Sequence, residues 1–161
     1  KPSAYAIRLR EKQKLRRMVS INERPFERLV AEASRAREAS GDVLLRGLEL
    51  RLDNIVKRMG VATSLKTARP LVLHKHVKVG GRTVNIPSFA VSAGDVVSVS
   101  QGLRENVGVK LSLDTAKRQN NRPSFIEFNE NDLSAKVLRV PERSEMSFPV
   151  TEQLIIEYYS K

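Results

Sequence analysis

The sequence predicts an α+β fold, a helical domain joined to a small β-sheet/helix domain that carries a helix-hairpin module. Three observations predict it. Through Gly60 the apolar residues recur at spacings of three and four, from Val77 the period drops to two, and a last helical stretch closes the chain. The helical domain is expected over 1–47 with 150–161, the α+β domain over 48–149, and the module over about 49–112.

Each element has a local reason. Glu, Lys, Gln, Leu and Arg favour a helix over 10–18. Asn22 can cap a second helix over 22–38, with Pro25 in its first turn and Phe26, Leu29, Val30 and Ala33 as its apolar stripe. Gly41 interrupts the pattern. Asp42 can cap a third helix, in which Leu45, Leu48, Leu52, Ile55 and Met59 make the clearest apolar face of the chain. Gly60 sits where that helix needs a stop. Thr63 or Ser64 starts a short basic helix leading to His74. Val77 and Val79 then face one side of a first hairpin strand, and Val84 and Ile86 face the same way on its partner. Gly80 and Gly81 supply the positive φ angles of the tight turn between them. Pro87 ends the hairpin, and residues 93–95 turn the chain into a strand over 96–100. A helix over 104–118 follows, with Val107, Leu111 and Ala116 on its face, then strands over 125–128 and 136–140. The last helix, over 151–159, buries Leu154, Ile155 and Tyr158.

The 161 residues allow one or two compact domains, and 40% hydrophobic residues with 5% aromatics and no Trp call for an aliphatic core. The 29 Lys+Arg against 18 Asp+Glu give a net charge of +11, a surface that attracts polyanions. A purely solubilising charge excess is the plainer alternative. No apolar run approaches the ~18 residues of a membrane span, and no signal-peptide core opens the chain. The absence of Cys removes disulfides, thiol catalysis and the usual structural zinc sites, and fits a reducing compartment. Lys1 is not an initiator Met, so a processed or truncated chain is expected, or one whose true start is not included.

Catalysis finds little support. His74 and His76 lie two apart at a helix-to-strand junction without further metal ligands nearby. No Ser sits in a nucleophile elbow, and no Gly-Lys-Ser/Thr follows Gly80-Gly81. Glu142, Glu145 and Glu152 read better as solvated charge than as a catalytic carboxylate pair. No catalytic residue, metal or cofactor is therefore expected.

The pattern that does carry chemistry is cationic. Residues 63–89 set Lys66, Arg69, His74, Lys75, His76, Lys78, Arg82 and Asn85 beside a foldable apolar set. Folded RNA is recognised through shape, phosphates and 2′-hydroxyls, which a broad cationic surface suits, and Arg forks onto phosphates at two points. Scarce aromatics argue against a stacking platform for single strands. The expected RNA contacts also include Arg8, Arg10, Lys12, Lys14, Arg16, Arg17 and Arg24 in the N-terminal helices. Arg51, Arg58, Arg104 and Lys110 complete the set. A protein-partner surface is expected at Glu142, Arg143, Glu145, Glu152 and Tyr158.

RLDNIVKRMG (51–60) followed by ARPLVLHKHVKVGGRTVNIPSF (68–89) resembles the RNA-binding module of small-subunit ribosomal protein number four. The same module is appended to several RNA-modifying enzymes and to other RNA binders, so alone it implies RNA binding only. LREKQKLRR (9–17), NERPF (22–26), PERSEM (141–146) and EQLIIEYYSK (152–161) also resemble that ribosomal protein, in its bacterial or organellar type, and the likeness runs through essentially the whole chain.

The resemblance implies a helical domain completed by the C-terminal helix, and a structural role on small-subunit ribosomal RNA. It implies binding at a multi-helix (five-way) junction in the 5′ region, nucleation of subunit assembly and support of decoding accuracy. The implied partners are ribosomal protein number five, other small-subunit proteins and messenger RNA where it enters the subunit, in a cytoplasmic bacterial ribosome or an organellar one.

The chain departs from the family in three ways. About forty N-terminal residues usual in the family, which bind zinc in some members, precede the region matched here. Pro70 stands where Gln is typical and threatens a kink, and Leu65 stands where a basic residue is common. The alternatives that remain are a free-standing RNA-binding factor or regulator of its own message using the same module, an enzyme with an appended module, and a protein scaffold.

Overall fold

The computed structural model describes residues 1–160. The chain divides into two compact units, one formed by Lys1–Leu48 with the return segment from Met146 onward, the other by Glu49–Glu145. The crossings therefore fall at 48/49 and 145/146 rather than at 47/48 and 149/150. The return segment carries buried Phe148 and Val150 ahead of the last helix.

In the first unit, α1 (Ala4–Met18) begins well before residue 10, because the Ser3 hydroxyl accepts the Ala6 N–H at 3.1 Å and supplies an upstream cap. α2 (Glu23–Ser34) stops short of residue 38. α3 (Ser40–Glu49) takes Asp42 into its first turn rather than at its cap. α1 packs on the chain's last helix, Glu152–Tyr159. Leu15, Phe26, Val30, Leu45 and Ile155 are fully buried.

A polar cluster sits among these helices. Lys12, expected on an RNA surface, is only 4% exposed. Its ammonium is hydrogen-bonded to Glu23 and lies 5.1 Å from the centre of the Tyr158 ring. The Tyr159 hydroxyl donates to the other Glu23 oxygen at 2.7 Å. Burial raises the Glu23 carboxyl, but the hydrogen bonds from Lys12 and Tyr159 and the charges of Lys12 and Arg16 outweigh it and hold the group below its ordinary 4.5. Burial, and then the bond to Glu23, push the Tyr159 phenol up, so it stays a donor.

In the second unit the long helix expected over residues 45–59 is broken. α3 ends at Glu49 and α4 spans Leu52–Arg58. The break has a long-range cause, since the backbone at 50–53 pairs with the segment after the hairpin. Val91 N–H donates to Leu50 O at 2.9 Å, Leu52 N–H to Phe89 O at 2.9 Å and Asp53 N–H to Pro87 O at 3.0 Å. The apolar face survives the break, with Leu52, Ile55 and Met59 all buried.

α5 (Leu65–Leu73) is started by a capping box between Ser64 and Thr67. Pro70 lies inside it without ending it, and His74 N–H still donates to Pro70 O at 2.9 Å. Leu65 is buried in the first turn, where a basic side chain would have no access to solvent.

Five antiparallel strands follow in the spatial order β2-β1-β3-β5-β4, with β1 Val77–Val79, β2 Arg82–Thr83, β3 Val96–Val99, β4 Ile126–Asn129 and β5 Ser134–Val137. Gly80 and Gly81, at φ +58° and +82°, make the expected two-residue turn that pairs Val79 with Arg82. β2 is shorter than expected. After Thr83 the chain leaves the sheet to reach α4, which leaves Val84 half-buried and Ile86 exposed instead of both facing the core. Alternation assigns Val77, Val97, Val99, Ala135, Val137 and Ile126 to the buried face.

Between β3 and β4, a single 3-10 turn precedes α6 (Val107–Gln119). The face expected for this helix is corrected. Val107 and Leu111 are 71% and 61% exposed, while Val109, Ser112 and Ala116 are buried. Asn106 Oδ1 accepts the Val109 N–H at 3.1 Å and starts the helix at 107. Gly60, at φ +101°, sets its rotation, because a Cβ there would come within 2.8 Å of Ala116 Cβ. α7 (Glu152–Tyr159) returns the chain to the first unit.

Because Glu23 has a lowered pKa in the fold, its contribution is present above about pH 4.5 and is lost as pH falls through the folded value. Glu23→Gln should lower the thermal midpoint at pH 6, and the gap to the parent should narrow progressively as the pH falls below about 4.5. A gap that stays constant over that range would contradict this cluster.

Candidate nucleic-acid interface

α5 and the hairpin carry the exposed cations. Lys66 lies on the first turn of α5, His74 and Lys75 follow its end, Lys78 is on β1, Arg82 opens β2 and Asn85 lies just beyond it, all exposed. Lys75 has φ +66°, a left-handed turn that reverses the chain from helix to strand. His76 is half-buried and its carbonyl accepts from Ser100 N–H at 2.9 Å. Among the described residues, the side chains of Lys66, Lys75, Lys78 and Arg82 make no hydrogen bond or ion pair.

The sheet extends this surface. Its outward face sets Lys78 opposite Thr83 and Ser98, and Lys136 opposite Val96 and Glu127. Lys136 was not among the expected contacts. The alternation Ser134-Ala135-Lys136-Val137, buried only at Ala135 and Val137, was the signal available for it.

Other expected contacts turn toward partners within their own unit. Asp53 is fully buried, and its carboxylate accepts from Arg51 Nε and Nη2 at 3.2 and 3.1 Å and from Arg69 Nε at 2.9 Å. Arg58 Nε lies 3.1 Å from the buried Glu49 carboxylate, and Arg58 Nη2 donates to Glu145 O at 2.9 Å. Asn54 also donates to Glu49 O at 2.7 Å. A buried carboxylate requires such partners, which is why these guanidiniums are held. Arg104 straps a loop, donating to Gln101 at 2.7 Å, to Glu130 O at 2.6 Å and to Asn131 O.

In the helical unit the expected contacts divide the same way. Arg16 donates to Gln13 at 2.9 Å and to Ile21 O at 3.1 Å, and lies 3.7 Å from Glu23. Arg8 pairs with Glu157 at 3.1 Å, and Lys14 donates to Pro149 O at 2.6 Å. Arg10, Arg17 and Arg24 are exposed and make no side-chain hydrogen bond or ion pair among the described residues. Lys110, in the second unit, pairs loosely with Glu105 at 3.6 Å, an exposed pair worth little.

Of the expected protein-partner residues, Glu142, Arg143 and Glu145 belong to the second unit and Glu152 and Tyr158 to the first. Glu145 accepts from Glu142 N–H at 2.9 Å, from the Ser124 hydroxyl at 2.6 Å and from Arg139, and the Glu142 N–H leads the set that holds its carboxyl below the ordinary value. Tyr158 packs against Tyr159 and Tyr5, with ring centres 5.1 and 5.7 Å apart. Glu142 is exposed, while Arg143 and Glu152 are half-buried.

Comparison with known proteins fits this arrangement. Residues 1–49 match the Ribosomal protein S4/S9 N-terminal domain, and residues 50–97 match the S4 domain. The chain is 48% identical over its whole length to the small ribosomal subunit protein uS4A of Symbiobacterium thermophilum, covering 77% of that protein. It is 44% identical over its whole length to the small ribosomal subunit protein uS4 from each of two strains of Thermus thermophilus, again covering 77%.

The buried carboxylate makes a direct prediction. Asp53→Ala leaves two guanidiniums without their shared partner and should lower unfolding free energy by about 3 kcal/mol in urea titration. A loss under about 1 kcal/mol would show that the network is not what holds α4 to α5.

Proposed function

The chain belongs to the small ribosomal subunit protein uS4 family, and from that premise we propose that it is a structural component of the small subunit that binds the subunit's ribosomal RNA. The observation that carries the reading is the row of exposed cations on α5 and the hairpin, Lys66, Lys75, Lys78 and Arg82, fixed to a small rigid core. Such a surface neutralises phosphates that a folded RNA crowds together, and so favours one RNA geometry over its alternatives. Arg10, Arg17 and Arg24 offer a second set on the helical unit.

The finer reading follows the family resemblance. The RNA target is a multi-helix junction, binding nucleates subunit assembly, and the bound protein supports decoding accuracy. Its neighbours are ribosomal protein number five and other small-subunit proteins, with messenger RNA passing near, and its compartment is a bacterial cytoplasm or an organelle. The role is non-catalytic. Similarity along the whole chain, rather than over the module alone, favours a ribosomal component over a free-standing factor.

The test is the salt dependence of binding to the 5′ region of small-subunit ribosomal RNA. With about 6–10 phosphate contacts, affinity should fall by ~10³–10⁵-fold between about 50 and 200 mM salt. A dependence near zero would overturn the phosphate-neutralising mechanism.

A further inference from the structure

A two-lobed cleft runs along α6 inside the second unit. Its polar lobe encloses about 400 Å³ between the end of α4 and α6 and is lined by Lys57, Ser112, Thr115, Gln119 and Asn121, among others. An adjoining lobe of about 250 Å³ shares Ala62, Thr63 and Ser112 with the first and is walled mainly by Val61, Leu71 and Val109. The Gly60–Ala116 contact that fixes the rotation of α6 forms part of the polar lobe's wall.

The polar groups are poised for a ligand. Lys57 is half-buried, yet its ammonium has no ion-pair or hydrogen-bond partner among the described residues. The Ser112 hydroxyl likewise makes no hydrogen bond there, although the residue is buried. Thr115 donates to Leu111 O at 2.9 Å and accepts weakly from Arg118 at 3.5 Å, which leaves its oxygen one further acceptor position. Asn121 donates to Gln119 Oε1 at 2.8 Å, which orients the Gln119 amide group as a donor and the Asn121 oxygen as an acceptor.

We propose that this cleft takes one unstacked nucleotide of the bound RNA, with its base in the apolar lobe, its ribose hydroxyls at Ser112 and Thr115, and its phosphate at Lys57. An apolar slot with a few converging polar groups is the usual form of a small-ligand site. RNA supplies such a ligand wherever a base in a bulge or junction is splayed from its stack, and an already unpaired base enters at least cost. The inference rests on the RNA-binding reading and adds to it a point of recognition that the phosphate-binding surface lacks.

The test uses the full chain with the 5′ region of small-subunit ribosomal RNA. A benzophenone amino acid replaces Thr63, which is exposed and lines both lobes. On irradiation the cross-link should fall on one unpaired nucleotide or its immediate neighbours, and Lys57→Gln should cut its yield about tenfold by removing a charged hydrogen bond. The same probe at Asp114, exposed on α6 and outside both lobes, should mark no single nucleotide.

A cross-link spread over paired nucleotides, or one indifferent to Lys57→Gln, overturns the proposal. So does saturation of the cleft by adenosine or uridine 5′-monophosphate with no RNA cross-link, which would assign it to free nucleotides. Binding of the unlabelled parent to the RNA is measured alongside. Retained binding with a scattered cross-link removes the cleft reading alone, and lost binding removes the RNA-binding reading as well.

Discussion

The carboxylate of Asp53 is the constraint on which the second unit depends. It is fully buried, and a charge in that position is tolerable only when it is paired and hydrogen-bonded. The pairing comes from Arg51 at the start of α4 and from Arg69 on α5, so one side chain ties two helices together. The Asp53 N–H donates to Pro87 O, which anchors the segment leaving the hairpin to the same point. Helix, helix and hairpin exit are thereby held in one arrangement, and the exposed cations they carry are presented on a fixed platform.

The positive charge is consequently divided by task. Arg51, Arg58, Arg69 and Arg104 face carboxylates or carbonyls of their own unit, and Lys12 and Arg16 do so in the helical unit. These groups maintain geometry. Lys66, Lys75, Lys78 and Arg82, with Lys136 on the sheet, face solvent, and on the function proposed above they supply the attraction for polyanions. On that proposal, preorganisation of the second set by the first limits the ordering that binding must impose, a route that needs no aromatic stacking.

Local signals in the sequence are legible where local physics decides. The Gly80-Gly81 turn, the Gly60 stop and the buried series Leu45 to Met59 follow from φ preference and spacing alone. Long-range pairing is not visible there. The break between α3 and α4 arises because residues 50–53 bond to the segment 87–91, and the rotation of α6 that exposes Val107 and Leu111 follows from the contact of Ala116 with Gly60. Pro70 leaves α5 intact, since the capping box and the flanking bonds sustain the helix around the one lost donor. For the candidate site, charge located a segment whose cations are exposed, but a Lys or Arg in a sequence does not reveal whether a buried Asp or Glu awaits it. Asp53 and Glu49 were the unseen partners.

Outward cations bind RNA on this account, and inward ones hold the platform. The most direct measurement compares two variants for both salt dependence of RNA affinity and unfolding midpoint. Lys78→Ala with Arg82→Ala should lower the log–log salt slope by about 1.5–2 while leaving stability unchanged. Arg69→Ala should lower the unfolding midpoint and leave the slope nearly intact. A result in which Arg69→Ala cuts the slope without loss of stability, while the double variant leaves the slope unaltered, would contradict the account.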